Sequence, residues 1–320
     1  MPRPSRALGA AAAVVTTTAW GGQFVVGKSA FAHLDPVWLT ALRYGLASLI
    51  FLALLGLVEG RRAFRPDRAW PRVAVLGSVG FAGFNLLAYT GLAHARPETA
   101  SLIVALGPLL TALVLWRRTG RRPARSTFLL LGVALLGVAL VVSAGHPSSI
   151  FHGALGWGEV LVLGGVFSFI LYSLGAAEFS ELSPLRYTAL TASLGWLTIA
   201  GATVVAIGTG LVELPSAEQL WSVSPQILYL AIPGAFVAVL TWNAAIASIG
   251  PQNAVLFSNL IPVTTFAIEI VRGYRPNVVE LLGAGLTICA LVASNLLARR
   301  SQRRVLQEAA PREAGLPEAA

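Results

Sequence analysis

Hydrophobic positions in this chain run on in long unbroken blocks, and short groups of Arg, Pro and Gly separate one block from the next. Ten blocks of 18 residues or more carry few charges: 8–26, 36–58, 71–93, 99–116, 127–144, 155–177, 185–207, 226–249, 253–271 and 278–298. About 20 helical residues rising 1.5 Å each cover the roughly 30 Å of bilayer hydrocarbon. The pattern therefore predicts an all-α integral membrane protein with ten transmembrane helices.

Composition agrees. Of 320 residues 56% are hydrophobic and only 12% charged, against about 25% charged in soluble domains. A water-soluble globule is excluded, and little chain remains for an aqueous domain. The first block follows Arg3 and Arg6, but no small-residue cleavage site closes a short apolar core, so it is read as a membrane helix. Cys289 is the only cysteine, which excludes a disulfide framework, and no metal site or cofactor is predicted.

The net charge of +9 rests almost wholly on arginine, since Lys28 is the only lysine. With the amino terminus placed inside, 18 of the 23 cations fall in inner segments. Arg61, Arg62, Arg65, Arg68 and Arg72 form one such group, and Arg117, Arg118, Arg121, Arg122 and Arg125 another. Only Lys28, Arg96, Arg272 and Arg275 fall outside, and Arg43 lies within the second block. That asymmetry predicts a multi-pass protein with both termini cytoplasmic. Nucleic acid is not an expected partner, because its binding needs the cations on one folded face with interleaved aromatics.

The halves also repeat. Pro97-Glu98-Thr99-Ala100 leads to Leu106-Gly107-Pro108, and Pro251-Gln252-Asn253-Ala254 leads to Leu260-Ile261-Pro262, in both cases with prolines 11 positions apart. The offset of 154 also pairs Ala93 with Ala247 and Thr111 with Thr265, while an offset of 148 pairs Pro36 with Pro184 and Gly27 with Gly175. Five helices per unit force the second copy to enter the bilayer from the opposite side. The expected domains are residues 1–145, residues 146–297 as the inverted copy, and a basic tail from 298 to 320. Inverted repeats place a substrate site between the halves near the midplane.

Trp20-Gly21-Gly22-Gln23-Phe24-Val25-Val26-Gly27-Lys28, followed by Pro36 and by Arg43 in the second helix, resembles the opening of EamA-type members of the drug/metabolite transporter superfamily. Ala100 to Pro108, Ala254 to Pro262, Gly153 to Glu159 and Glu269 extend the resemblance over about residues 8–297. It implies two EamA-like units of five helices, a bacterial inner-membrane location, and secondary transport of a small metabolite, commonly export of an amino acid or related compound. One departure stands out: the counterpart of Glu269 in the first half is Leu115, so a role needing a carboxylate in both halves is in doubt.

Other chemistries lack their parts. Gly22 to Ser29 satisfies the letter of a phosphate-binding loop, but lies in an apolar helix with no preceding strand and no carboxylate for magnesium. Asp35 and Asp67 are too far apart for paired Asp-rich motifs, and His33, His94, His146 and His152 show no metal-ligand spacing. A polytopic membrane protein that is not a carrier, such as a lipid-modifying enzyme or scaffold, remains the alternative.

The candidate pathway residues are the polar and aromatic side chains that a bilayer makes expensive. They are Trp20, Gln23 and Phe24 on the first helix, Arg43 on the second, Asn85 and Tyr89 on the third, Tyr172 on the sixth, Trp242 and Asn243 on the eighth, and Asn259 on the ninth. Arg43 has two readings, a structural pair to carbonyls or a carboxylate, and a contact for an anionic substrate group. Lys28 is expected to snorkel to the interface in preference to binding substrate, Glu159 to be hydrated, and Glu269 to pair with Arg272 three positions later unless it couples protons; Lys28 and Glu269 are together the candidates for coupling or a structural ion pair. Pro108 and Pro262, inside their helices, are candidate gate hinges. Asn residues also glue helices together. The tail from Ala298 reads as a largely disordered cytoplasmic anchor to anionic lipid. The expected partners are a small-molecule substrate and the lipid bilayer, with a homodimer left open.

Overall fold

A computed structural model describes residues 6–64, 70–120, 122–144, 146, 156–179 and 181–313, all-helical and with no strand among them. Helix α1 is Arg6–Ala30 and α2 is Pro36–Val58, started by Pro36 and by the Asp35 carboxylate, which accepts from the Val37 amide at 2.7 Å. Helix α3, Trp70–His94, carries a π segment at Ser78–Gly83. The next block is two helices, α4 (Pro97–Ala105) and α5 (Gly107–Thr119), bent by 43° at Leu106. Helix α6 is Arg125–Ser143.

Helices α7 (Trp157–Ala176) and α8 (Pro184–Gly208) follow, the latter capped by Ser183. A short α9, Ala217–Ser222, has a Ser216/Gln219 capping box and was not predicted. Helix α10 covers residues 224–249 with a π segment at Ile232–Val237. Two helices again fill one block, α11 (Pro251–Phe257) and α12 (Leu260–Val271), before α13, Val278–Glu313. The two π segments begin at Ser78 and Ile232, 154 positions apart, and the helices containing them begin at Trp70 and Ser224 with the same separation.

Among the described residues eight helical runs are long and apolar enough to cross a membrane, and the bent pair α4–α5 makes a ninth if it is one span. They correspond to nine of the ten predicted blocks. The exception is α1, long enough at 25 residues but rich in Thr and Gly. Its polar side chains meet protein: the Thr16 hydroxyl contacts Thr241 at 2.7 Å, and the Thr265 hydroxyl donates to Gly21 O at 2.9 Å. Burial is concentrated in its second half, from Ala19 to Ala30, while Leu8, Val14 and Val15 in the first half stand exposed, so only part of its surface has to suit lipid. On the rest of the bundle, Leu57, Val58, Leu129, Val204, Val205 and Val271 stand exposed, an apolar exterior that suits hydrocarbon and not water.

Packing pairs the first half with the second: α1 lies on α10 and α12, α7 lies on α3 and α4, α2 on α8, and α6 on α13. Glycine makes these seams close. A Cβ on Gly91 would fall 2.5 Å from the Gly158 carbonyl, one on Gly195 2.5 Å from that of Gly77, and one on Gly137 2.5 Å from that of Gly283. Small residues let membrane helices approach to backbone contact.

Two expectations change. The tail continues α13 as helix through Glu313, because Arg, Gln, Leu, Glu and Ala are strong helix formers and the one breaker, Pro311, falls in the last turn. Pro108 and Pro262 do not kink helix interiors; each sits in the first turn of a new helix just past a break, where its missing N–H costs nothing. The expected domain boundary at residues 145 and 146 adjoins a stretch, 147–155, outside the described residues.

Candidate functional site

Four predicted side chains from three helices meet inside the bundle. The Arg43 guanidinium, 1% exposed, donates through Nη1 to the Tyr89 hydroxyl at 2.6 Å and to Gln23 Oε1 at 3.5 Å, and through Nη2 to Asn85 Oδ1. It also sits over the Tyr89 ring, 3.8 Å from the centroid, and 4.8 Å from that of Tyr44, a cation–π arrangement. The π segment helps orient the cluster, since Asn85 Nδ2 donates to the Phe81 carbonyl at 2.7 Å and its oxygen is left facing Arg43. Gly27 makes room for Tyr89, whose Cε1 lies 3.0 Å from where a Cβ would stand.

On one side of this cluster the bundle is closed by polar contacts, at what we call the Arg96 end. Phe31 packs edge-on to Tyr89 with centroids 6.2 Å apart. Lys28 Nζ donates to the carbonyls of Leu92 (2.9 Å), Ala93 (2.7 Å) and Ala95 (2.9 Å), the unsatisfied last turn of α3. The predicted snorkelling is thus replaced by a helix cap, because three carbonyl acceptors at the end of α3 lie within hydrogen-bond distance of Nζ. Lys28→Met should lower stability by about 1–2 kcal/mol, a melting shift of a few degrees, with Lys28→Arg milder. An unchanged melting temperature would show that the carbonyls find other donors.

Beyond Lys28 lies a second network. Arg96, between α3 and α4, donates to Glu280 Oε1 at 2.6 Å, to the Tyr274 hydroxyl at 3.0 Å and to the Val141 carbonyl. Tyr274 donates to Glu280 at 2.6 Å, and Asn277 Nδ2 to the Ala144 carbonyl at 2.9 Å. Burial, reinforced by the bond to Glu280, pushes the Tyr274 hydroxyl well above the usual phenol range, so it stays a donor at neutral pH. One arginine thereby ties α6 and the α3–α4 connection to the start of α13.

The opposite end, marked by Arg72 paired with Glu178, has a hollow of about 270 Å³ lined by Phe51, Glu59, Ser183, Thr188 and Asn243 among others. From the Arg43 cluster toward this end runs an aromatic series: Tyr44 to Phe81 (5.5 Å), Phe81 to Tyr172 (5.3 Å), Tyr172 stacked on Tyr187 (5.6 Å), and Tyr187 on Phe179 (5.6 Å). Trp20 and Trp242 pack together at 5.4 Å.

The remaining predicted residues lie elsewhere. Phe24 packs in the core with Leu92, Ile103 and Ile261. Asn259 is buried at the α11–α12 break. Glu269 pairs with Arg272 at 3.4 Å, as its spacing indicated. Glu159 is 8% exposed, with its carboxylate accepting from the Gly156 amide at 3.0 Å, where an open, hydrated position was expected. Two buried carboxylates escaped the sequence reading, Glu98 and Glu280. Glu280 had a signal: Asn277 and Glu280 stand at capping-box spacing and exchange bonds of 2.9 Å in both directions.

The EamA-like transporter family matches residues 7–143 and again 156–296. An uncharacterized transporter YrdR of Bacillus subtilis (strain 168) is 28% identical over 306 residues, covering 94% of this chain and 95% of its own. A probable terminal-alkyne amino-acid exporter of Streptantibioticus cattleyicolor is 23% identical over 285 residues, covering 89% and 92%. A solved crystal structure with 24% identity aligns at TM-score 0.64, covering 92% of this chain and all of the other, a likeness of fold.

Proposed function

Because the chain belongs to the EamA-like transporter family, we propose that this multi-pass membrane transporter is a secondary carrier that exports an amino acid or related small metabolite without ATP and without altering it chemically. The observation that carries the reading is the cluster of Gln23, Arg43, Asn85 and Tyr89, polar groups from three helices enclosed by an apolar bundle. Such groups are costly in a membrane and mark a solute path. The exporter named among the relatives supports the direction and the substrate class.

Alternating access is the mechanism the packing supports. Interleaved pairs α1 with α10, α3 with α7, and α2 with α8 fit two five-helix units of opposed orientation, at residues 1–145 and 146–297, and the matching π segments fit the same register. In ten crossings α1 counts as the first, its second half covered by α10 and α12. The polar network at the Arg96 end closes one side, while the hollow at the Arg72 end leaves the other less filled. By the positive-inside rule the arginine distribution favours a cytoplasmic Arg72 end and cytoplasmic termini, and the family membership favours a bacterial inner membrane. Trp20, Trp242, Tyr172 and Asn243 then line the inner approach.

Purified protein in sealed liposomes tests this. Counterflow of labelled amino acids, emerging unchanged and with no nucleotide present, is the expected result. Chemical conversion of the solute, or a strict need for ATP, would replace the carrier reading with an enzyme or a pump.

A further inference from the structure

Arg43 is a full positive charge sealed from solvent with no negative partner. Among the described residues its contacts are neutral: the Tyr89 hydroxyl, the Asn85 and Gln23 amide oxygens, and two aromatic faces. The described ion pairs all involve other residues, namely Arg72 with Glu178, Arg96 with Glu280, and Arg272 with Glu269. A buried charge is ordinarily paired, because leaving it alone in a medium of low dielectric costs several kcal/mol.

The guanidinium is also not saturated with acceptors. Of the five N–H groups of an arginine, Nη1 uses two and Nη2 one, while Nε is buried with no partner. Nε–H and one Nη2–H remain unused, and Nε with Nη2 forms an edge of the fork that a carboxylate can grip with both oxygens. One helical turn earlier on the same face, the buried Thr40 hydroxyl has no hydrogen-bond partner either. The only lysine, Lys28, spends its three N–H donors on three carbonyls and interacts electrostatically with Glu159 and Glu98, so it offers no second free donor group. A single available cation matches a singly charged group and not a phosphate dianion.

We infer that Arg43 is the anchor for the carboxylate of the transported solute, gripped through Nε and Nη2, with Tyr89 and Tyr44 as aromatic walls and Asn85 and Gln23 holding the guanidinium in place. This rests on the carrier reading for the word transported, but the anion site stands or falls separately. The structure supplies the cation without its counter-ion, and the solute brings it.

The test is a thermal-shift panel on the full-length protein in detergent, with the twenty proteinogenic L-amino acids, each beside its carboxamide and its decarboxylated amine. The expected result is stabilisation by one or more free acids and by none of the matched amides or amines. Arg43→Gln should abolish that shift. Because this variant risks misfolding, Asn85→Asp provides the decisive comparison: it places a carboxylate beside Arg43 in the same volume, should melt no lower than the wild type, and should bind the free acid at least 30-fold more weakly. Equal response to acid and amide overturns the inference, as does retained affinity in a folded Asn85→Asp protein or a panel with no acid-specific shift. Counterflow in liposomes separates the two claims. Transport that ignores the carboxylate leaves the carrier and removes the anchor. An acid-specific shift without transport leaves the anchor and removes the carrier.

Discussion

Gly137→Leu should lower stability by about 3 kcal/mol and deplete the folded state, whereas Gly132→Leu on the same helix should leave it unchanged. A Cβ at residue 137 would lie 2.5 Å from the Gly283 carbonyl and 2.8 Å from the Thr287 amide nitrogen, both backbone atoms that cannot swing aside. The contact is reciprocal, since a Cβ on Gly283 would meet the Gly137 carbonyl at 2.6 Å and Leu140 Cβ at 2.8 Å. Helices α6 and α13 would have to separate, losing the Thr287 hydroxyl bond to the Ala134 carbonyl at 3.1 Å as well. Overpacking of this kind costs about 3 kcal/mol, enough to deplete a marginally stable protein. Gly132 has nothing within 4 Å of its Cβ position and is exposed, so leucine there only adds apolar surface where the chain faces lipid. The measurement is the monodisperse yield and melting temperature of the two variants side by side. Equal behaviour would mean that the α6–α13 seam is looser than drawn.

Glu280→Gln should loosen the Arg96 end without unfolding the chain. The carboxylate is 3% exposed and joins Arg96, Tyr274 and the Asn277 amide, so its loss strips the charge partner from an arginine that also holds the Val141 carbonyl. Breaking a fully buried pair costs about 3–5 kcal/mol, but the Arg96 side chain keeps 39% of its exposure, so water recovers part of the loss. A net shift of about 1–2 kcal/mol toward an open Arg96 end is expected, roughly tenfold in population. Ala30, wholly buried at the end of α1, is the reporter position. In a Cys289→Ser background, Ala30→Cys should react with a water-soluble maleimide about tenfold faster when Glu280→Gln is added. Arg96→Met should act similarly, and the double variant should show less than the sum, because each single change already removes the shared bond. Unchanged labelling would make the network a static brace and not a latch.

Membrane character was legible because hydrocarbon imposes a rule that any apolar block reveals: about 20 residues without charges. Nine blocks appear as membrane-length helical runs or as one bent pair. The approximate position of the α4–α5 break was signalled by Pro108, yet the break itself was not, since a proline at an interior position and one in the first turn of a new helix look alike in one dimension. The π segments had no signal. They arise where helices cross, Gly80 lying against Tyr172 and Gly234 near Gln23, and such contacts are fixed only when both partners are in place.

The candidate site was half readable. Gln23, Arg43, Asn85 and Tyr89 could be named singly as polar residues at expensive depth, but their meeting depends on the rotation of three helices about their own axes, which no spacing encodes. Phe24, adjacent to Gln23, turns instead into the core. Lys28 looked like an interfacial residue because the carbonyls it caps lie 64 to 67 positions away along the chain.

What the sequence determined by itself is therefore whatever depends on the surrounding solvent: the helical class, the blocks that suit lipid, the uneven placement of arginine and the periodic return of the same proline pattern. The tertiary structure alone decided which polar groups share an interior and which end is tied shut. Those outcomes turn on helix rotation and on glycine-to-backbone contact, quantities set by the packing of distant segments against each other.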